Sequence, residues 1–576
     1  MNNMPTRVFD LLQSFSHMPE NRVLFSSVSN GKWQDYTVAD YRKFADETSF
    51  ALLNFGIQKS EPVISITHNR AEFNFVDMGI MQTGAIHVPL YPAVDVQKLQ
   101  AIVAETNARL IFISNKSVLR KLQQIKDSNL LTIVSFDTTA GAIAYSDFLQ
   151  QSHKDYTLLE KIKSTVGTND AASITYLSGG NTPLKGVVLS HKNQIFNLQQ
   201  YLSFHHFDGC AQSISFLPLA HSFERAVNYS FQALGIKVIY CEGIASLPAL
   251  LKQRNPDVML AVPLVLERIV ETTKNEIAKA KGAAGWLALR TLEIAKRTDV
   301  RYSQRIFCPR KMLFKIVFKG LRKFLGGNIK VMLCGGAALR PEVLNILWAA
   351  GIRTYEGYGL SEAGPLISYN HPKAFKAYTL GKLMPGVSAK VAADGEILVK
   401  SGGVMQHYFK TDSAETDTDG WLHTGDIGQI DGEGFLSLTG IKKTIFKLSS
   451  GLYTNPVPIE SELLRFENIQ NAWVYGHNRT QLTAILNTGK SNANAETESV
   501  KILSDNTSIG HDRENIISLQ IADYNTKCEK YEQIATFEIV NDEWSIANGM
   551  LNADLSLNRI ALLQKYRATI EKKYQG

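Results

Sequence analysis

Residues 331–368 read VMLCGGAALRPEVLNILWAAGIRTYEGYGLSEAGPLIS. Val331–Cys334 is a short apolar run of the kind that forms a buried strand, and it ends at Gly335-Gly336-Ala337. Pro341–Ala350 then has helical period, and a second strand ends at Glu356-Gly357-Tyr358-Gly359. Strand, helix, strand is the unit of a parallel sheet covered by helices, and such sheets bind ligands at the carboxyl ends of their strands. Both strands here end in glycines, which leave room for a flat ring. Tyr358 offers a stacking face and Glu362 a hard oxygen ligand for Mg²⁺.

The same alternation runs through the first 400 residues. Strand-like runs fall at 63–67, 86–88, 110–114, 131–135, 238–240 and 258–261, with helical periods at 38–55, 73–83 and 96–106. The texture changes near residue 385. Val387–Val391, Glu396–Val399 and Gly434–Leu438 are short runs split by the turns Asp394-Gly395 and Asp431-Gly432, which reads as a small β-rich unit. Residues 441–576 mix strands and helices, and the polar stretch Gly489–Asp512 reads as a loop or insertion.

The chain has 576 residues, enough for about three to five folding units. Hydrophobic residues make up 44% and charged residues 20%, which is too apolar for a disordered chain. The net charge of +7 is weak for this length and gives no case for a nucleic-acid partner. Five dispersed cysteines with no CxxC pair exclude a disulfide framework and the familiar zinc or iron–sulfur spacings. Residues 1–15 lack a basic segment followed by an apolar core, and no run of about 18 apolar residues occurs. The expectation is a cytoplasmic protein in a reducing compartment. Residues 296–326 form a basic tract with Leu313, Ile316, Val317, Phe318, Leu321 and Phe324 interleaved at near-helical spacing. It reads either as a surface helix with a solvated basic face or as a patch drawn to anionic membrane or an acidic partner.

Two further segments carry chemistry. In Ser173–His191, SITYLSGGNTPLKGVVLSH, small residues and Lys185 sit between two strands. Such a turn is a plain hairpin or a cradle whose backbone N–H groups crowd around phosphate. No GK[ST] opens a helix, so it is not a Walker A loop. Gly420–Gly428, GWLHTGDIG, holds one loop carboxylate, Asp426, either a turn former or an acceptor for ribose hydroxyls.

Taken together these segments resemble the adenylate-forming superfamily, and in particular its bacterial long-chain fatty-acid–CoA ligases. The resemblance covers nearly the whole chain. NFVDMGIMQTGAIHVPLYP (74–92), FLPLAHSFERAVNY (216–229), CGGAAL, EGYGLSEAGPLIS, GWLHTGDIG and IFKLSSGLYTNPVPIE (445–460) carry it. It implies an α/β fold with a large N-terminal part, 1–436, of largely parallel sheets plus the β-rich unit, and a smaller mobile α+β lid, 440–576. It implies ATP and Mg²⁺ with a fatty acid as substrates, and CoA or a carrier-protein thiol as acceptor. Lys185, His221 and Glu362 would be catalytic, with Glu362 on the metal. Ser178, Gly179, Gly335, Gly336, Ala337, Glu356, Gly357, Tyr358, Gly359, Ser361, Asp426 and Lys443 would bind nucleotide. The segment 216–229 should border an apolar acyl tunnel, with His221 and Phe223 near its mouth.

Three places depart from the family pattern. The phosphate loop, roughly YTSGTTGxPKG, reads YLSGGNTPLKG here, with Leu177 replacing a hydroxyl. The hinge, roughly GRxK, reads Gly440-Ile441-Lys442-Lys443, so Ile441 stands where an Arg is expected. The terminal motif, roughly NGxLTPTLKLKR, reads NGMLNADLSLNR, so Ser556 stands where the adenylation Lys is expected. These changes raise two expectations, a ligase of reduced activity or a relative that binds nucleotide or acyl ligand as a regulator or partner.

Overall fold

The computed structural model describes residues 4–126, 131–150, 153–177, 184–203, 207, 209–298, 300, 310–336, 339–411, 416–450, 452–466, 469–488, 508–552 and 556–575. Two large sheets organise the first 400. One has eight strands in the order His407–Tyr408, Gly186–Ser190, Ala171–Tyr176, Ile86–Leu90, Pro62–Ile66, Leu110–Ile113, Thr132–Ser135 and Ile143–Ala144. Its last six strands run parallel, and the first two are added antiparallel. The other has nine strands, parallel from Val23–Ser29 across to Arg353–Tyr358 and antiparallel at both edges. The segment quoted above supplies two adjacent central strands, with Val331 paired to Arg353 and Cys334 to Glu356. Pro341 opens the helix Pro341–Ala349 at its first turn, where the missing N–H costs nothing.

One apolar core reaches both sheets, taking in Val187 and Leu189 from the first and Val238, Leu260 and Leu333 from the second. The helix Glu72–Gln82 contributes to this interior and every one of its residues is buried. Its polar members therefore need internal partners. Asp77 accepts from Arg225, from His87 Nδ1 at 2.6 Å and from the Tyr229 hydroxyl, while Ser65 and His87 Nε2 lie 2.7 Å apart. Asn74 pairs with Asn228, Gln232 and Tyr240. This network fixes the helix Ser222–Ala233 against Glu72–Gln82.

The β-rich unit is a four-stranded antiparallel sheet, Ser388–Val391, Glu396–Lys400, Leu422–Ile430 and Leu436–Ile441. Beyond it the chain builds a separate three-stranded sheet in which Leu482–Asn487 pairs antiparallel with Asn471–Tyr475 and parallel with Ile534–Val540. Its two faces hold separate apolar clusters, one around Leu463 and Ile517 and the other around Trp473, Trp544 and Leu562. Leu264 packs on the second cluster, and Arg340 Nη1 donates to the Leu464 carbonyl at 2.7 Å. Asn455 caps the helix Pro456–Leu463 and donates to the Thr439 carbonyl at 2.7 Å, which ties this part to the β-rich unit.

Most of the polar stretch 489–512 lies outside the described residues, but its last five residues open the helix Ser508–Asn525 instead of continuing a loop. In the basic tract Phe314, Phe318 and Leu321 face the core, and Ile316 lies on the opposite, solvent face beside the lysines.

Candidate active site

The turn after Ala171–Tyr176 returns as Gly186–Ser190, with Tyr176 opposite Gly186 and the Leu177 N–H donating to the Lys185 carbonyl at 3.1 Å. Leu177 packs its side chain on the main core, a role a hydroxyl could not fill. Ser178, Gly179 and Ala337 lie outside the described residues. Lys185 Nζ stands 4.4 Å from the centre of the Tyr408 ring, a cation–π distance. The Tyr408 hydroxyl in turn donates to Glu362 Oε1 at 3.1 Å. Tyr408 is there because His407–Tyr408 pairs with the outer edge of Gly186–Ser190, with Tyr408 opposite Val187. The Met405 N–H donates to the Glu362 carbonyl at 2.8 Å, so the same segment holds Glu362 from both ends.

At the end of Arg353–Tyr358, the Tyr358 hydroxyl donates to Asp426 Oδ2 at 2.7 Å. Burial first, then the adjacent Asp426 charge, pushes the Tyr358 hydroxyl far above its usual range, so it stays protonated and remains a donor. Asp426 Cα pairs with Ile441 across Leu422–Ile430 and Leu436–Ile441, so the residue at the expected hinge-Arg position is the direct cross-strand neighbour of the expected ribose carboxylate. Lys443 lies in the one-turn helix Lys442–Thr444 that follows. Lys442 Nζ is held by Asp394 at 2.7 Å and Glu396 at 2.8 Å.

The glycines answer to close approach. A Cβ on Gly359 would fall 1.6 Å from the Pro365 carbonyl oxygen, and one on Gly335 would fall 2.6 Å from Phe223 Cε1. The second contact seats the segment 216–229 directly against the glycines after Val331–Cys334. Gly357 is the ladder partner of Tyr369, and Gly336 has a positive φ of 91°. Glu356 is buried and accepts from the Leu339 N–H at 3.2 Å, and burial raises its carboxyl to about 7. Ser361 and Ser222 share a hydrogen bond of 2.8 Å. His221 caps Ser222–Ala233, its Nδ1 accepting from the Phe223 N–H at 3.2 Å, which puts the neutral ring's proton on Nε2.

Lys185 and Glu362 are thus joined through Tyr408, Tyr358 is joined to Asp426 with the Glu362 charge acting on its hydroxyl, and Ser361 meets Ser222 as Gly335 meets Phe223. Tyr408 and Ser222 are the linking residues that sequence reasoning missed. A two-residue edge strand has no periodicity to find, and Ser222 sat unremarked inside a recognised segment. Ser222, Arg225, Ala226 and Tyr229 line a small cavity of about 10 Å³ with Ser173, Thr175, Leu189, Gln194, Gly364 and Pro365, beside the Asp77 network.

Ser556 is exposed, with Asn552 Nδ2 donating to its Oγ at 2.8 Å. The nearest cation in sequence, Arg559, makes a two-pronged pair with the buried carboxylate of Glu460. Lys565 pairs with Asp542 at 2.7 Å. Among the described residues no three His, Cys, Asp or Glu side chains converge as a metal cage. A single Glu fits Mg²⁺, which is commonly held by one or two carboxylates together with substrate phosphates.

The AMP-binding enzyme family matches residues 13–409, and the AMP-binding enzyme C-terminal domain matches residues 443–576. A long-chain-fatty-acid–CoA ligase, FadD15 of Mycobacterium tuberculosis, is 26% identical over 589 residues, covering 96% of this chain and 94% of its own. The human long-chain-fatty-acid–CoA ligase 1 is 26% identical over 599 residues, with 94% and 83% covered. The ATP-bound crystal structure of MatB from Rhodopseudomonas palustris superposes with a TM-score of 0.74 at 18% identity, covering 98% and 99% of the two chains. The site geometry and these matches along nearly the whole length agree: the chain belongs to the adenylate-forming AMP-binding enzyme family.

Proposed function

We propose that this protein activates a long-chain fatty acid with ATP and passes the acyl group to CoA. The observation that carries this reading is two neighbouring groups, Lys185 with Tyr408 and Glu362, and Tyr358 with Asp426, the Glu362 charge lying close enough to act on the Tyr358 hydroxyl. The fatty-acid part rests on the names of the mycobacterial and human relatives, which align with 94% or more of this chain.

In this reading the adenine lies by Tyr358 and the glycines at 335 and 359. Asp426, which accepts from Tyr358, binds the ribose hydroxyls. Lys185 brings positive charge to the phosphates, and its cation–π seat on Tyr408 keeps it aimed. Glu362 would hold Mg²⁺, which supplies charge neutralisation at the phosphate oxygens when bound. A fatty-acid carboxylate oxygen attacks the α-phosphorus, the bond to the β-phosphate oxygen breaks, and pyrophosphate leaves. The CoA sulfur, its proton lost to solvent, then attacks the acyl carbon, and the bond to AMP breaks. Residues 1–436 form the main domain. Residues 440–576 form the lid, turning about Lys442-Lys443 between the two steps.

The test is pyrophosphate release with ATP, Mg²⁺ and a panel of short- to long-chain fatty acids, followed by thioester formation on adding CoA. Pyrophosphate that depends on a long-chain acid supports the reading. Nucleotide binding with no pyrophosphate from any acid overturns it, and turnover confined to short or aromatic acids overturns the fatty-acid part.

A further inference from the structure

The helices Gly282–Arg297, Arg310–Val317 and Lys319–Phe324 pack in succession, the second on the first and the third on the second, within the connection between the central strands Val258–Ala261 and Val331–Cys334. Together they hold nine Lys and Arg residues and one acid, Glu293, a net charge of +8. That exceeds the +7 of the whole chain, so the protein's entire positive excess sits on these helices. Glu293 is itself paired with Lys296 at 2.8 Å, and no acid occurs from 310 to 330.

Apolar side chains share this surface. Phe314, Phe318, Leu321 and Leu325 are buried at helical spacing. Met312, Ile316, Lys319 and Lys323 repeat the same spacing two residues out of phase, about 200° round the helix, and face solvent. Met312 is 73% exposed, Ile316 62%, and Trp286 on the neighbouring helix 64%. A helix whose inner face is satisfied by the core has no folding reason to put Met and Ile on its outer face. Large apolar tips among unopposed lysines complement a surface with negative charge outside and hydrocarbon just beneath.

We infer that the outer face of these helices docks the protein on an anionic lipid bilayer, with Trp286, Met312 and Ile316 entering the headgroup layer and Lys315, Lys319 and Lys323 meeting lipid phosphates. Among the described residues no helix is long and apolar enough to cross a membrane, so the contact is peripheral. It stands apart from the ligase reading and is tested without substrate.

The experiment is flotation of the full chain with phosphatidylcholine vesicles, with and without about one-third phosphatidylglycerol. Binding is expected only with the anionic lipid. Replacing Lys315, Lys319 and Lys323 together by Gln should weaken it roughly 100-fold, at about fivefold per cation near the surface. Salt of about 1 M, where screening falls to about 3 Å, should do the same. Met312→Ser with Ile316→Ser should weaken binding roughly tenfold or more at unchanged charge. Equal thermal melting of all variants keeps misfolding separate. No flotation with anionic vesicles, flotation unmoved by either set, or an oligomer that dissociates on Ile316→Ser without vesicle binding would each overturn the inference.

Discussion

Replacing Ser556 by Lys and Ile441 by Arg puts two cations back where an anionic transition state would use them. A well-aimed charge on developing phosphoryl charge contributes about 3 kcal/mol, roughly 100-fold in rate. For Ser556→Lys that full amount applies only if the lid delivers it to the phosphates, since the residue is exposed. For Ile441→Arg the location is known more closely. Its Cα is the ladder partner of Asp426, and side chains so placed have Cβ atoms about 5 Å apart. Ile441 is 40% exposed, so solvent screening cuts the gain to about 1 kcal/mol, or fivefold. Among the described residues, Arg559, Lys565 and Lys442 are each engaged by carboxylates. The assay separates the half-reactions. Pyrophosphate release should rise by two orders of magnitude or more in the double variant, while thioester formation from synthetic acyl-adenylate and CoA should change by less than about threefold. Wild-type pyrophosphate release already at about 1–10 per second, unchanged in the double variant, would refute the argument that these positions limit adenylation.

Tyr408→Phe keeps the ring beneath Lys185 but loses the bond to Glu362, and turnover should fall about fivefold with a higher Mg²⁺ requirement, read from steady-state rates across Mg²⁺ concentrations. Asp77→Ala leaves the buried Arg225 guanidinium without its carboxylate and should cost about 3–5 kcal/mol in urea unfolding. Glu224, buried and bonded to Ser215, has its carboxyl raised to about 8 from 4.5. The folded state therefore holds a proton that the unfolded chain has lost, and Glu224 makes stability fall as pH rises between those values, by up to tenfold in the folding constant per unit. Glu224→Gln should flatten that slope, measured as the urea midpoint against pH, and be more stable than wild type at the alkaline end.

Much of the fold was legible because buried parallel strands must be short apolar runs and their helices must carry a stripe. The strands at 86–90, 110–113, 258–261 and 331–334 and the helices at 38–55 and 96–106 fall where these patterns place them. What periodicity cannot show is pairing between distant segments. His407–Tyr408 becomes a strand only because Gly186–Ser190 offers it an edge, and that pairing puts Tyr408 between Lys185 and Glu362. The Asp77–His87–Arg225–Tyr229 network joins residues that look unexceptional until three elements pack together. Near-helical spacing alone does not say which face Ile316 takes, and its two-residue offset from Phe314 and Phe318 turns it to the far side of the helix.

The two kinds of position in this site answer to different forces. At Gly335 and Gly359 a side chain would run into Phe223 or the Pro365 carbonyl, so packing alone demands glycine whether or not nucleotide is ever turned over. Ile441 and Ser556 sit where the fold asks little of them, one 40% exposed on a strand and the other exposed as well. A cation lost at such a place leaves the sheets, the core and the cleft intact while removing charge from the chemistry. The two glycines therefore testify to architecture, and the departures at Ile441 and Ser556 bear on charge. It follows that a nucleotide-binding measurement, which draws on Tyr358, Asp426 and the glycines, should find a competent site even if pyrophosphate release is slow. Weak nucleotide binding in a folded wild-type protein would instead place the defect in the cleft itself, not at the two lost cations.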